Sequence, residues 1–182
     1  MTFRLIEFCV GVVLLSISIP FLGGCVHKIH VAPTPPTVSQ TPIPQSLRVE
    51  VPFLALEGAD HMPGIALLEW PAKDLRAAII DYIQQRRTFA SVSDEQGKLT
   101  LTMKAWLRMQ SSREYRYILR LISDLGPTAK PPVKTYKVEK DAVGSQVRWV
   151  TASDQDPIAE AVQAALDDLF SQIEEDSTLY GK

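Results

Sequence analysis

Cysteine is scarce in this chain of 182 residues, which holds only Cys9 and Cys25. Cys9 lies in an apolar leader and Cys25 directly after two glycines, so the segment that folds carries no intrachain disulfide and depends on apolar packing. Histidine is almost as rare, at three residues (His27, His30 and His61). Two of these stand close together in a polar stretch with no carboxylate or thiolate at ligand spacing, so no metal site is expected. With so few bases, and without G-x-S-x-G, H-E-x-x-H, Walker A or G-x-G-x-x-G, no catalytic residue and no cofactor is expected either. An excess of positive charge is also missing. The 19 basic and 21 acidic residues give a net charge of −2, so no global field draws the chain to nucleic acid. Nor is there an apolar run long enough for a transmembrane helix. The longest, Phe8 to Leu22, has 15 mostly apolar residues against the roughly 20 needed to cross a bilayer.

That short run has another reading. Arg4 and the amino terminus lead it, Leu22-Gly23-Gly24-Cys25 ends it, and small residues at 23 and 24 let a peptidase approach the backbone. The pattern is that of a bacterial lipobox, with residues 1–24 as signal peptide, cleavage between Gly24 and Cys25, and acylation of Cys25. Val26 stands where an inner-membrane lipoprotein often carries Asp, so an outer-membrane lipoprotein facing the periplasm is expected. The mature chain of 158 residues is about one domain's worth.

Residues 25–46 form the expected tether. Five of the 13 prolines (Pro33, Pro35, Pro36, Pro42, Pro44) fall here among Thr, Ser and Gln. Fully extended at about 3.1 Å per residue, Val26 to Ser46 would reach roughly 65 Å. The globular part, 47–182, opens with the alternation of Leu47, Val49, Val51 and Phe53, a strand that Pro52 places at a sheet edge or brings to its end. Pro71 opens a helix to about Arg87, whose stripe is Leu75, Ala78, Ile79, Tyr82 and Ile83. A short strand at Phe89 and Val92 follows. Leu99 to Gln110 then alternates cleanly, and Tyr115 to Ile122 reads as its hairpin partner. Val133–Glu139 and Val147–Val150 read as a further hairpin. A closing helix has Asp156 as N-cap, Pro157 in its first turn and a stripe from Ile158 to Ile173. The expected fold is α+β, an antiparallel sheet with two amphipathic helices on one face in the order β-α-β-β-β-(ββ)-α.

The acidic pairs Asp167-Asp168 and Glu174-Glu175 diverge by about 100° around a helix, so they read as solvated rather than as an acid and a base. Trp70 and Trp149 read as core or edge packing. The polar side of the long hairpin is more suggestive. Lys104, Trp106 and Arg108 on one strand stand across from Arg116 and Arg120 on the next, and a tryptophan among cations makes a candidate docking surface; the alternative is that Trp106 packs under the last hairpin or a loop.

Leu68-Glu69-Trp70-Pro71 leading into a helix, then Arg87-Thr88-Phe89-Ala90-Ser91-Val92, resembles the PqiC-like family of ABC-type transport auxiliary lipoproteins. The order of elements through an alanine-rich last helix, Pro157 to Ile173, agrees over roughly Leu47 to Glu175. The chain departs from that pattern after Cys25, where the proline segment replaces a Tyr-Tyr-x-Leu-like strand, and in its arginine-rich hairpin. The resemblance implies a non-catalytic subunit of an envelope lipid or ABC-type transport system that works by protein docking. Similar element orders occur in outer-membrane lipoproteins serving cell-wall synthesis or secretion-pore assembly, which is the alternative.

Overall fold

The computed structural model describes residues 26–58, 67–111, 114–144 and 155–176. The leader, Gly24, Cys25, His61 and Val147–Val150 with Trp149 lie outside the described residues. Among those described, the elements run β1 (Val26–Lys28), β2 (Ile43–Glu57), β3 (Leu67–Glu69), α1 (Ala72–Arg86), β4 (Phe89–Ser93), β5 (Leu99–Ser111), β6 (Tyr115–Pro127), β7 (Lys134–Gly144) and α2 (Gln155–Glu175). The fold is α+β, with a five-stranded sheet in the order β4-β2-β5-β6-β7 and a two-stranded ribbon of β1 and β3.

The alternation in β5 and β6 sets the layers. Leu101, Met103, Ala105 and Leu107 point one way with Leu119, Leu121 and Leu125, all buried. Over them lie α1, through Leu75, Ile79, Tyr82 and Ile83, and α2, through Ile158, Val162, Leu166, Leu169, Phe170 and Ile173. The two helices sit side by side on this one face, with the rings of Tyr82 and Phe170 5.6 Å apart. Trp70 is buried in the same core.

Several expectations need correction. The long strands are antiparallel from β5 through β7, but β2 runs parallel to both of its neighbours, β4 and β5. A strand 15 residues long can cross the whole sheet, and the chain returns to its start through α1. Pro52 sits where β2 has already left β4, whose pairing stops at Arg48. There β2 has a neighbour on one side only, which suits a residue with no N–H to donate. The register with β5 slips between Glu50 and Phe53, and this bulge turns Phe53 out of the core face on which strict alternation put it. Phe53 is 44% exposed on the opposite side.

Helix α1 stops at Arg86 rather than Arg87. Arg87 adopts the left-handed region at φ 59° and donates its N–H to the carbonyl of Ile83 at 2.9 Å. Asp156 lies inside the first turn of α2 and is not its cap. Among the described residues the last strand runs from Lys134 to Gly144 and pairs along β6 from Leu125 to Tyr115, longer than the expected Val133–Glu139, while its expected hairpin partner at 147–150 lies outside the described residues.

The largest correction concerns the tether. Val26 to Lys28 pair in parallel with Leu67 to Glu69, so a short strand does follow Cys25. Ile29 is buried, and its N–H bonds to the Glu69 carbonyl at 2.9 Å. Beyond it the proline segment is a strap laid along the two helices. Gln155 donates to the His30 carbonyl at 2.9 Å, the Thr34 N–H reaches Gln163 at 2.7 Å, and the Ser39 N–H reaches the Arg86 carbonyl at 2.7 Å. The match has a geometric reason. The steps from His30 to Ser39 at about 3.1 Å each, and from Gln155 to Glu174 at about 1.5 Å each, both come to roughly 28 Å. A polyproline-like strand therefore keeps pace with the helix beneath it, and β2 starts at Ile43, with its N–H on the Thr88 carbonyl at 2.8 Å.

Candidate docking face

With both helices on one face, the other face of the sheet carries no element among the described residues. The structure brings all five residues singled out in the sequence onto it. Trp106 stands opposite Arg120, Arg108 opposite Ile118, Lys104 opposite Ile122 and Gln110 opposite Arg116. Trp106 is half-buried because two neighbours close on its ring: Phe53 at 5.3 Å between centroids, tilted by 51°, and the Arg120 guanidinium at 5.9 Å. The bulge in β2 creates that contact by turning Phe53 outward next to Lys104.

Around this centre the charges are paired across strands. Arg108 bonds Glu57 at 3.2 Å and Arg116 bonds Asp141 at 2.7 Å, each partner on an adjacent strand. Lys104 is exposed and carries no ion pair among the described residues. Trp106, Arg108, Ile118, Arg120, Glu57 and Glu139 border a shallow hollow of about 300 Å³. An apolar aromatic centre within an alternating charged rim has the anatomy of a protein-binding patch, where buried aromatics and arginines carry most of the affinity.

Among the described residues, the ionisable groups with shifted titration lie on the covered side. Arg86 forms a bidentate pair with Glu174, Nε and Nη2 each 2.9 Å from a carboxylate oxygen, with its side chain only 6% exposed. Ser171 accepts from Arg86 at 3.2 Å and Thr88 donates to Glu174 at 2.8 Å. Tyr82 accepts from Arg86 at 3.3 Å and donates to Asp167, which also takes the Gln163 amide at 3.0 Å. Lys140 on β7 reaches Asp168 at 2.6 Å. Reading Asp167, Asp168 and Glu174 as solvated is therefore wrong. Arg86 at the end of α1 joins the two helices.

The electrostatics follow from these bonds. Burial pushes the Tyr82 hydroxyl up, and donation to Asp167 pushes it further. Burial also favours protonation of Glu174, but the bonds from Arg86 and Thr88 outweigh it and hold the carboxyl below its ordinary value. Bonding to Glu174 raises Arg86, and the Lys140 ammonium lowers Asp168. Every charge here is satisfied in its resting form. The cluster clasps α1, α2 and the strap. His30 is exposed, and no group of three His, Cys, Asp or Glu side chains converges among the described residues.

Sequence reading found the cations and Trp106 but missed Phe53, Glu57 and Asp141, which reach the patch only through the bulge and the strand order. It also missed the Arg86 to Glu174 clasp, whose members are 88 residues apart.

No family model and no curated protein matches the sequence. Among solved structures, the fold is similar to that of a Xanthomonas campestris protein described by the family model DUF330. The identity is 13% and the TM-score 0.62, over 81% of this chain and 94% of that one. Looser likenesses join it to a Chlamydia trachomatis protein, at 8% identity and a TM-score of 0.46 over 71% and 96% of the two chains. A minor lipoprotein from Acinetobacter baumannii stands at 14% and 0.41, over 71% and 88%.

Proposed function

We propose that this chain is a bacterial envelope lipoprotein, anchored through Cys25, that works without catalysis as an accessory subunit of a lipid or ABC-type transport system and docks its partner on the open sheet face. One observation carries the docking role: Phe53, Trp106 and Arg120 form an aromatic and cationic centre on a sheet whose other face is occupied by both helices. The lipobox supports the anchor, and the family resemblance of the Trp70-Pro71 and Arg87 to Val92 segments supports the transport role. The competing assignment to cell-wall or secretion-pore assembly rests on a similar order of elements. That order does not separate the two readings, and the docked strap offers no free arm for reaching a distant partner.

Purification from detergent-solubilised membranes tests the reading. Recovery of an ATPase, a permease or a lipid-binding subunit with the wild type, and its loss with Trp106→Ala at equal expression, is expected. Recovery of a cell-wall synthase or a secretion pore in their place would overturn the transport role. For the anchor, Cys25→Ser should block acylation and processing; mass spectrometry finding an unmodified cysteine in the mature wild type would contradict it.

A further inference from the structure

One end of the molecule gathers β1, the start of α1 just after β3, the start of α2 and the far ends of β2 and β7. The evidence is local. Gln155 at the head of α2 holds the His30 carbonyl, β3 pairs with β1, Glu57 stands opposite Arg108, and Gly144 lies against Tyr117 and next to Pro157. The opposite end holds the start of β5 and the turn at Ala129 and Lys130. Val26, the residue after Cys25, already belongs to the fold: three residues pair with β3, Ile29 is buried, and the strap is then bonded along both helices. Adjacent Cα atoms are 3.8 Å apart, so an anchor on Cys25 has almost no slack before it meets folded protein.

We infer that the domain rests directly on the lipid bilayer with its β1 end down, held there by the strap, and that the open sheet face stands upright beside the membrane. This inference rests on the acylation of Cys25 proposed above, and its partner is the phospholipid surface itself. The docking centre then lies toward the membrane end of its strand. Trp106 is five residues from Ser111 at the end of β5, about 17 Å along the strand at roughly 3.3 Å per residue. A partner embedded in the same membrane meets the patch close to the headgroups, whereas a free arm would have let the domain roam roughly 65 Å away.

The acylated full-length mature protein, reconstituted in phosphatidylethanolamine and phosphatidylglycerol vesicles carrying a headgroup quencher, tests this. One fluorophore goes on Lys73→Cys, exposed in the first turn of α1, and in a separate sample on Lys130→Cys at the opposite end. The Lys73 label should lose its fluorescence and the Lys130 label keep it. A flexible Gly/Ser run of about 12 residues between Cys25 and Val26, with a span of roughly 20 Å, should restore the Lys73 signal without touching the fold. Ile29→Asp, which releases the strap, should do the same. Failure of the wild type to float with vesicles overturns the anchor and this inference together. Flotation with equal quenching at both positions overturns the inference and leaves the anchor standing.

Discussion

The two faces of the sheet use the same pair of side chains for different ends. On the covered face Arg86 and Glu174 meet with the arginine 6% exposed, and neighbouring hydroxyls fill the remaining hydrogen-bond positions. On the open face Arg108 and Glu57 meet with the arginine 57% exposed, and Arg116 and Asp141 are similarly wet. Removing one partner of a buried pair strands a desolvated charge, whereas a wet pair is replaced by water. The covered arginine therefore serves stability, holding α1, α2 and the strap together. The open arginines contribute little to folding and remain available to a partner.

That contrast can be broken by substitution. Arg86→Met should have the largest effect, about 3 kcal/mol or more in urea denaturation, because Glu174 is left largely buried without its cation. Its acid dependence has a definite sign. The folded carboxyl of Glu174 lies below its ordinary value of 4.5, so its contribution is complete above pH 4.5 and lost as the pH falls through the lower folded value. Glu174→Gln should flatten that acid limb in a plot of stability against pH; an unchanged limb would show that other carboxylates cause it.

Leu101→Ala, at the centre of the covered face, should cost roughly 2 to 5 kcal/mol through lost transfer and a residual cavity. Trp106→Ala should cost about 1 kcal/mol of folding, the scale of its ring contact with Phe53, while weakening partner binding by around 2 kcal/mol or more in titration calorimetry. A melting temperature lowered as far as by Leu101→Ala would place Trp106 functionally in the core. Arg116→Gln should do least, below about 1 kcal/mol, with the pair weakened further by salt.

How much of this was legible in the sequence depended on how local each signal was. The period-two pattern of Leu99 to Gln110 and the stripes of the two helices named the core side of β5, α1 and α2, because periodicity is a property of neighbouring residues. The placement of Lys104, Trp106 and Arg108 on the open face followed from the same alternation. Three features did not. The bulge at Val51-Pro52 breaks the period by which Phe53 is assigned a face. The parallel run of β2 depends on where the chain returns after α1. The proline segment has too few apolar residues to suggest burial, yet Ile29, Pro33 and Ile43 suffice because the helices supply the rest of the surface and a matching rise.

The most direct test of the open face as the working face is photo-crosslinking in living cells, with a photoreactive residue placed singly at Lys104, Arg120 or Lys137 on the sheet and at Lys73, Asp81 or Glu160 on the helices. All six are exposed in the folded chain. Adducts to a membrane component of an envelope transport system are expected from the sheet positions and not from the helices. Adducts arising from the helix positions alone would contradict it and move the interface to the covered side.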